Sequence, residues 1–360
     1  MTNQTCPTPP LRKKLNGLNG LNKLNGKGLS LLLLSALPAV AWDYEGHRTV
    51  NQLALASLPT NFPAFVRVPA AAERVAFLAG EPDRWRNSQD VSLRQYSFPD
   101  HYIDLEQLSD YGLKCDGLPV FRYDFTAQLG VIRKAQPDKF PAPDPEKDRD
   151  HTHALVGLLP WAITENAAKL RSCFSYLKTF EASGGTPEEI SNAQQNILYI
   201  MGTMGHYVGD ASQPLHTTIH HHGWVGDNPH HYRTDPGIHS WIDGGFFRKM
   251  GGADLKGMQA KLRTAQRVSV NGHSAQPEET FQASMAFIQD ANKSVELIYQ
   301  MDQDGRLSGR SEGSREAKAF LEGQLLKSGQ FLGDIWYSAW QQAGPDTFLE
   351  RSLAERKTVK

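Results

Sequence analysis

The sequence predicts a mainly α fold, a single-domain multi-helix bundle, and three observations carry that expectation. Apolar residues recur at helical spacing in several long stretches, among them residues 155–177, 187–212, 281–300 and 315–342. The alternation of a half-buried strand is nearly absent and is confined to His101-Tyr102-Ile103-Asp104. With 360 residues and 39% hydrophobic content, the chain is long enough to enclose a sizeable core. A formal net charge of -1 excludes the global basic field by which a non-specific binder holds duplex DNA. A nucleic acid would have to be gripped locally.

Residues 1–41 read as a signal peptide. Lys13, Lys14, Lys23 and Lys27 precede an apolar run from Leu29 that closes in Pro38-Ala39-Val40-Ala41, a small-x-small cleavage site. The run is shorter than the roughly 20 apolar residues of a membrane span, so no integral membrane segment is expected in the mature chain. A secreted or periplasmic location follows, where Cys115 and Cys173 have the option of forming a disulfide that the fold does not require. Cleavage after Ala41 makes Trp42 the first mature residue, with His47 close behind it. A free α-amine, with a reference pKa of about 7.7 to 8.0, gives up its proton to a divalent metal, and its own carbonyl oxygen closes a five-membered chelate. An apolar helix pattern then runs from Val50 through Leu53, Ala54 and Leu58.

Residues 73–86 read as one helix that carries Asp83 and Arg86 to a surface turn. Asp83 is a candidate ligand and Arg86 a candidate phosphate clamp, although Asp-x2-Arg alone is usually a surface ion pair. In 101–104 the period of two puts His101 and Ile103 on one side and Tyr102 and Asp104 on the other. Residues 105–150 turn polar and Pro-rich (Pro137, Pro141, Pro143, Pro145) and are expected to form a long irregular excursion, ended by solvated His151 and His153. Two core-wall helices follow, separated by Gly184-Gly185. The stretches 281–300 and 315–342 close the core, and 346–360 reads as a polar C-terminal tail beyond a catalytic domain of 42–345.

The segment from His206 to His216 places three metal-ligand side chains around a helix end. His206 and Asp210, four apart, project from one helix face. Pro214 lacks an N–H and disfavours the α region for its predecessor, so the helix should stop near Ser212 and leave His216 pointing elsewhere, toward a second ion. An isolated pair of this kind is more often a core histidine and a solvated carboxylate. Here His239-Ser-Trp-Ile-Asp243 repeats the spacing, and imidazole with carboxylate is the ligand set of zinc. The triplet His220-His221-His222 is a weaker candidate, because adjacent side chains diverge and cannot all reach one ion.

Taken in order, Trp42, His47, Asp83, His101, His206, Asp210, His216, His239 and Asp243 resemble the ligand series of the trinuclear-zinc, single-strand-specific nucleases, relatives of the bacterial zinc phospholipases C. The resemblance covers essentially the mature chain. It implies three Zn2+ ions: one on the Trp42 amine and carbonyl, His47 and Asp210; one on Asp83, His101, His206 and Asp210; and one on His216, His239 and Asp243. It further implies an enzyme, a secreted phosphodiesterase that hydrolyses single-stranded DNA or RNA to 5′-phosphate products, with 3′-nucleotidase activity as a companion expectation. Asp83 and Arg86 would act on the reacting phosphate, and Tyr102 and Asp104 would hold a base. The short Trp42-x4-His47 spacing, Asp243 rather than Glu in the last pair, and Tyr102-Ile103-Asp104 favour a nuclease over the alternative, a phospholipase C acting on lipid head groups. The Gly-Gly-Asn element of the fungal nucleases is replaced by Gly226-Asp227-Asn228-Pro229. The partner expected is a nucleic acid or nucleotide substrate, with no stable protein partner.

Overall fold

Helix ends in this chain follow from local chemistry, and the most informative case is the helix that carries His206 and Asp210. The computed structural model describes residues 42–269 and 277–358, so the expected signal peptide lies outside the described residues. In chain order the helices are α1 (Tyr44–Ser57), α2 (Pro69–Leu78), α3 (Glu81–Arg86), α4 (Val91–Ser97), α5 (Leu105–Leu108), α6 (Arg122–Ala135), α7 (Leu159–Ser183) and α8 (Pro187–Ser212). Then come α9 (Gly237–Ser240), α10 (Phe246–Lys249), α11 (Leu255–Gln259), α12 (Pro277–Asn292), α13 (Val295–Gln303), α14 (Ser314–Gln342) and α15 (Thr347–Thr358). Among the described residues the only β pairing is a pair of isolated bridges, Ile103 with Gly157 and His221 with Gly223. The fold is mainly α, as expected.

At the start of α8, Thr186 forms a capping box with Glu189: the Thr186 hydroxyl accepts from the Glu189 N–H, and the Glu189 carboxylate accepts from the Thr186 N–H. The helix ends at Ser212 because Gln213 is extended ahead of Pro214. It packs against α1, α2, α7, α12 and α14. Every residue from Met201 to Ser212 is buried, so its last three turns run through the interior rather than along a surface. Small residues permit this. A Cβ on Gly205 would lie 1.6 Å from Asn51 Oδ1, and Asn51 Nδ2 donates to the carbonyls of Val75 and Gly202, tying α1, α2 and α8 together. The described residues belong to one compact unit, and among them no helix is long and apolar enough to cross a membrane.

Several expectations need correction. Residues 73–86 are two helices, α2 and α3, broken at Ala79-Gly80, and the break turns Asp83 inward: it is buried, not displayed on a surface turn. The 105–150 excursion is not irregular throughout. It contains α6, whose Phe125 and Leu129 are buried, with Phe125 stacked on Trp161 at 4.2 Å between ring centroids. The apolar recurrence Phe125, Leu129, Ile132 was a readable signal, masked by the proline-rich sequence after it. The helix expected from Leu155 begins at Leu159, with Pro160 in its first turn. Residues 347–358 are not a tail but α15, which buries Leu349 and Leu353 and packs on α7. Cys115 and Cys173 are both free thiols.

Candidate metal centre

The chemistry of the interior is set by where α8 delivers its polar face. His206 and Asp210 lie one turn apart, His206 Nε2 to Asp210 Oδ2 at 3.4 Å, and both are fully buried. Around them α1 contributes His47, whose Nε2 lies 3.5 Å from Asp210 Oδ1 and whose ring stacks on His206 at 3.8 Å between centroids. From α3 comes Asp83, its Oδ1 at 3.6 Å from His206 Nε2. The turn Phe98–His101 supplies His101, with Nδ1 at 3.0 Å from Asp210 Oδ2 and 2.9 Å from His206 Nε2. Beyond the end of α8, His216 meets His239 and Asp243. These two sit on a helical run widened at Trp241–Gly245 into a π turn, a local irregularity frequent at functional sites, with His239 Nε2 at 3.4 Å from Asp243 Oδ2.

The ligand atoms gather into three groups, each within 4.8 Å: His47, Asp83 and His206; His101, His206 and Asp210; His216, His239 and Asp243. The eight expected side-chain ligands are thus brought together, except that His47 groups with Asp83 and His206 as well as approaching Asp210. Trp42 is buried beside them. Its indole N–H donates to the Gly209 carbonyl at 3.0 Å, one residue before Asp210, and the Asp43 N–H donates to the Asp243 carbonyl at 3.0 Å. The main chain at the expected mature terminus therefore lies between the end of α8 and the Asp243 segment.

Two histidines have their tautomers set by backbone carbonyls, which can only accept. His206 Nδ1 donates to the Ala79 carbonyl at 2.7 Å, and His216 Nδ1 to the His101 carbonyl at 2.5 Å. In His216, whose proton affinity burial lowers, Nε2 is left as the lone-pair nitrogen, the arrangement found behind metal-ligating histidines; at His206 burial is outweighed by the Asp210 and Asp83 carboxylates, which raise its proton affinity, and Nε2 would become a ligand once a metal displaced that proton. His216 Nε2, both nitrogens of His239, Asp243 Oδ2 and Asp210 Oδ1 are buried without a hydrogen-bond partner. So many buried polar atoms without partners would be costly in a dry core, and a bound cation would relieve them. Burial is the first cause that lowers the proton affinity of His101, His216 and His239, and the Arg86 charge adds to it at all three, so the imidazoles are neutral and able to ligate. Burial works against the Asp210 carboxylate, yet the imidazoles of His206 and His216 and hydrogen bonds from His101 and His206 hold its pKa well below the usual range. Burial pushes Asp243 well up, a preference that an adjacent dication reverses. The donor set fits zinc: neutral imidazole and carboxylate, with second-layer carbonyls in place.

Gln213, which the sequence did not single out, orients the last pair. Its side-chain amide donates to Asp243 Oδ1 at 2.7 Å and accepts from the Leu215 N–H at 2.7 Å, so that Asp243 presents its other oxygen to His239. Its position between Asp210 and Pro214 was the only available hint. Arg86 Nε lies 2.7 Å from Asp83 Oδ1, an i, i+3 pair on α3 that is almost wholly buried, so the expected surface ion pair is part of the centre.

Tyr102 and Asp104 flank the His216 side of the centre. The Ile103 N–H donates to the His216 carbonyl at 2.9 Å and the Leu105 N–H to that of Thr217 at 3.2 Å, which holds the segment from Tyr102 to the start of α5 beside the ligand segment. The Tyr102 hydroxyl donates to the Leu155 carbonyl at 3.3 Å, and its ring meets Phe98 edge-on. Asp104 is buried, with Oδ1 at 3.8 Å from His221 Nδ1. The histidine triplet divides its work, as divergent neighbours must. His220 stacks on Trp224 at 4.0 Å and accepts from the Val225 N–H, His221 faces Asp104, and His222 lies 5.4 Å from the His239 ring. Gly223, at φ 103°, makes this possible, since a Cβ there would come within 2.3 Å of the Thr234 carbonyl oxygen. His151 and His153 are exposed. No family model matches the chain, and no curated protein matches it.

Proposed function

We propose that the chain is a zinc-dependent phosphodiesterase of the single-strand-specific nuclease type, hydrolysing single-stranded DNA and RNA to 5′-phosphate products and removing the phosphate of 3′-nucleotides. The observation that carries the reading is the fully buried Asp210, within 3.8 Å of His47, His101, His206 and His216, at the junction of three metal-ligand groups and beside the Asp83–Arg86 pair. Zinc bound there would supply a Lewis acid and bring water toward ionisation near neutral pH. The protein's own residues do the rest. Asp210, with two oxygens and four imidazoles around it, would be the carboxylate that helps hold more than one of the ions. Arg86 carries a planar, permanently charged fork suited to non-bridging phosphoryl oxygens, and Asp83 fixes its direction. The Tyr102 ring and the Asp104 carboxyl, which flank Ile103 where its N–H pairs with the His216 carbonyl, would stack and hydrogen-bond one base, which requires that the base be unstacked from its neighbours.

The test measures hydrolysis of single-stranded DNA and of phosphatidylcholine vesicles by the same preparation, with and without chelator, alongside elemental analysis. The reading expects chelator-sensitive DNA hydrolysis and one zinc for each of the three ligand groups. Asp210→Asn should lose more than one of them. Phosphatidylcholine hydrolysis with intact DNA, or a single zinc per chain after loading, sinks it.

A further inference from the structure

Next to the metal centre lies a cavity of about 350 Å³ whose wall includes Asp83. Its volume falls in the range of about 300 to 1,000 Å³ typical of small-molecule sites. Two aromatic rings dominate it, Tyr44 from the first turn of α1 and Phe77 near the end of α2, and both are exposed, at 39% and 49%. Their centroids are 6.5 Å apart and their planes meet at 82°. They form a right-angled corner.

The corner is rigid. The Arg48 guanidinium lies over the Tyr44 ring at 5.4 Å and donates to its hydroxyl, while a bidentate pair with Glu73, at 3.0 Å on each arm, holds Arg48 in turn. On another side, Gly80 admits the Tyr44 ring where a Cβ would stand 2.6 Å from Cδ2. Two large partly exposed aromatics side by side, lining one cavity with a ligand carboxylate, form an apolar face at the centre's edge. Arg84 stands at the rim, paired with Glu81 at 2.7 Å.

We propose that Tyr44 and Phe77 form a second base-stacking subsite, which takes the nucleobase on the other side of the scissile phosphate from the one held by Tyr102 and Asp104. The assignment rests on the nuclease reading of the metal centre. Three features select a base over an acyl chain. A planar heterocycle can lie flat on one ring and meet the other with its edge, which a flexible chain cannot exploit. The rim is polar, with Glu81, Arg84 and Asn87. Asp83 both lines the cavity and belongs to a ligand group, so the corner adjoins the place where the proposed phosphate would sit. Stacking of this kind is tolerant of sequence, as befits a strand-specific rather than sequence-specific enzyme.

The test uses Tyr44→Leu and Phe77→Leu, which keep apolar bulk and remove the flat ring. Three substrates are compared: a dinucleotide with both bases and its two singly abasic forms. Each variant should raise KM for the complete dinucleotide by about tenfold, the scale of one lost base stack, with zinc content and helicity unchanged. One of the two abasic forms, the one lacking the base that would occupy the corner, should be cut by variant and wild type alike, and the other should stay sensitive. Equal sensitivity of both abasic forms, or no change in KM for the complete dinucleotide, overturns the subsite. Loss of hydrolysis of short-chain phosphatidylcholine in the variants also overturns it, in favour of an acyl chain. If wild-type protein cuts none of the nucleotide substrates, the nuclease reading itself falls; the subsite fails alone only where wild-type cleavage persists.

Discussion

A carboxyl group taken out of water must either find positive partners or keep its proton, and this interior contains both outcomes. Asp210 takes the first route, ringed by imidazoles. Asp104 takes the second: burial, reinforced by Glu106, pushes its pKa up to about 7 from 3.8. Between these two values the folded chain holds a proton that the unfolded chain has released, so this group's contribution to stability is greatest on the acid side and is lost as pH rises through about 7. Replacing Asp104 with Asn should remove that slope. Thermal melts of the two proteins from about pH 4 to about pH 8 should show the variant gaining on the wild type as pH rises, in the window set by this shift; parallel profiles would mean that Asp104 does not hold its proton. Base binding should weaken in parallel if the carboxyl contacts the base.

At the scale of elements, the close approach of α1 to α8 is the device that places His47 over Asp210. A Cβ on Gly209 would lie 2.6 Å from His47 Nδ1 and 3.0 Å from Cε1. In Gly209→Ala two effects compete. Helix propensity gains about 0.5 to 1 kcal/mol, while overpacking a filled site costs about 1 to 3 kcal/mol, so a net loss of roughly 1 kcal/mol is expected. Zinc content should drop while helicity stays, as measured by elemental analysis and circular dichroism; full occupancy would show that His47 can move without cost. A different element carries the outer packing. Truncation after Asp346 strips Leu349 and Leu353 from α7, each worth about 1.5 to 3 kcal/mol when fully buried, and should lower Tm without altering zinc content. An unchanged Tm would return this segment to the status of a tail.

For the whole molecule, the chemical state of the Trp42 nitrogen is the variable to test. If the chain starts at Trp42, its α-amine is free to act as a ligand; with any residue before it, the same nitrogen is an amide whose lone pair is delocalised and whose proton is not released near neutral pH. A chain beginning at Trp42 should therefore outperform one carrying a single additional Gly in turnover on single-stranded DNA and in zinc content. Helicity should be equal, because the core around α7, α8 and α14 does not involve that nitrogen. Equal turnover and zinc content in the two proteins would remove Trp42 from the site.

The sequence by itself determined what is local: α8 from the break at Gly184-Gly185 to the stop before Pro214, the shared face of His206 and Asp210, and the repeat of that spacing at His239 and Asp243. Helical period, a glycine break and the missing proline N–H act over a few residues and can be read directly. Its failures were also local, at the break after Leu78, at α6 beside a proline-rich run and at α15, where burial overrode polar composition. Tertiary structure alone decided that Gln213 would turn the Asp243 carboxylate and that Asp83 would face inward, whereas the meeting of His101 and Asp210 across 109 residues of chain was expected from the resemblance and from no local pattern. Periodicity reports which face of an element a side chain occupies, whereas convergence and desolvation depend on how distant elements pack, and that information is spread over the whole core.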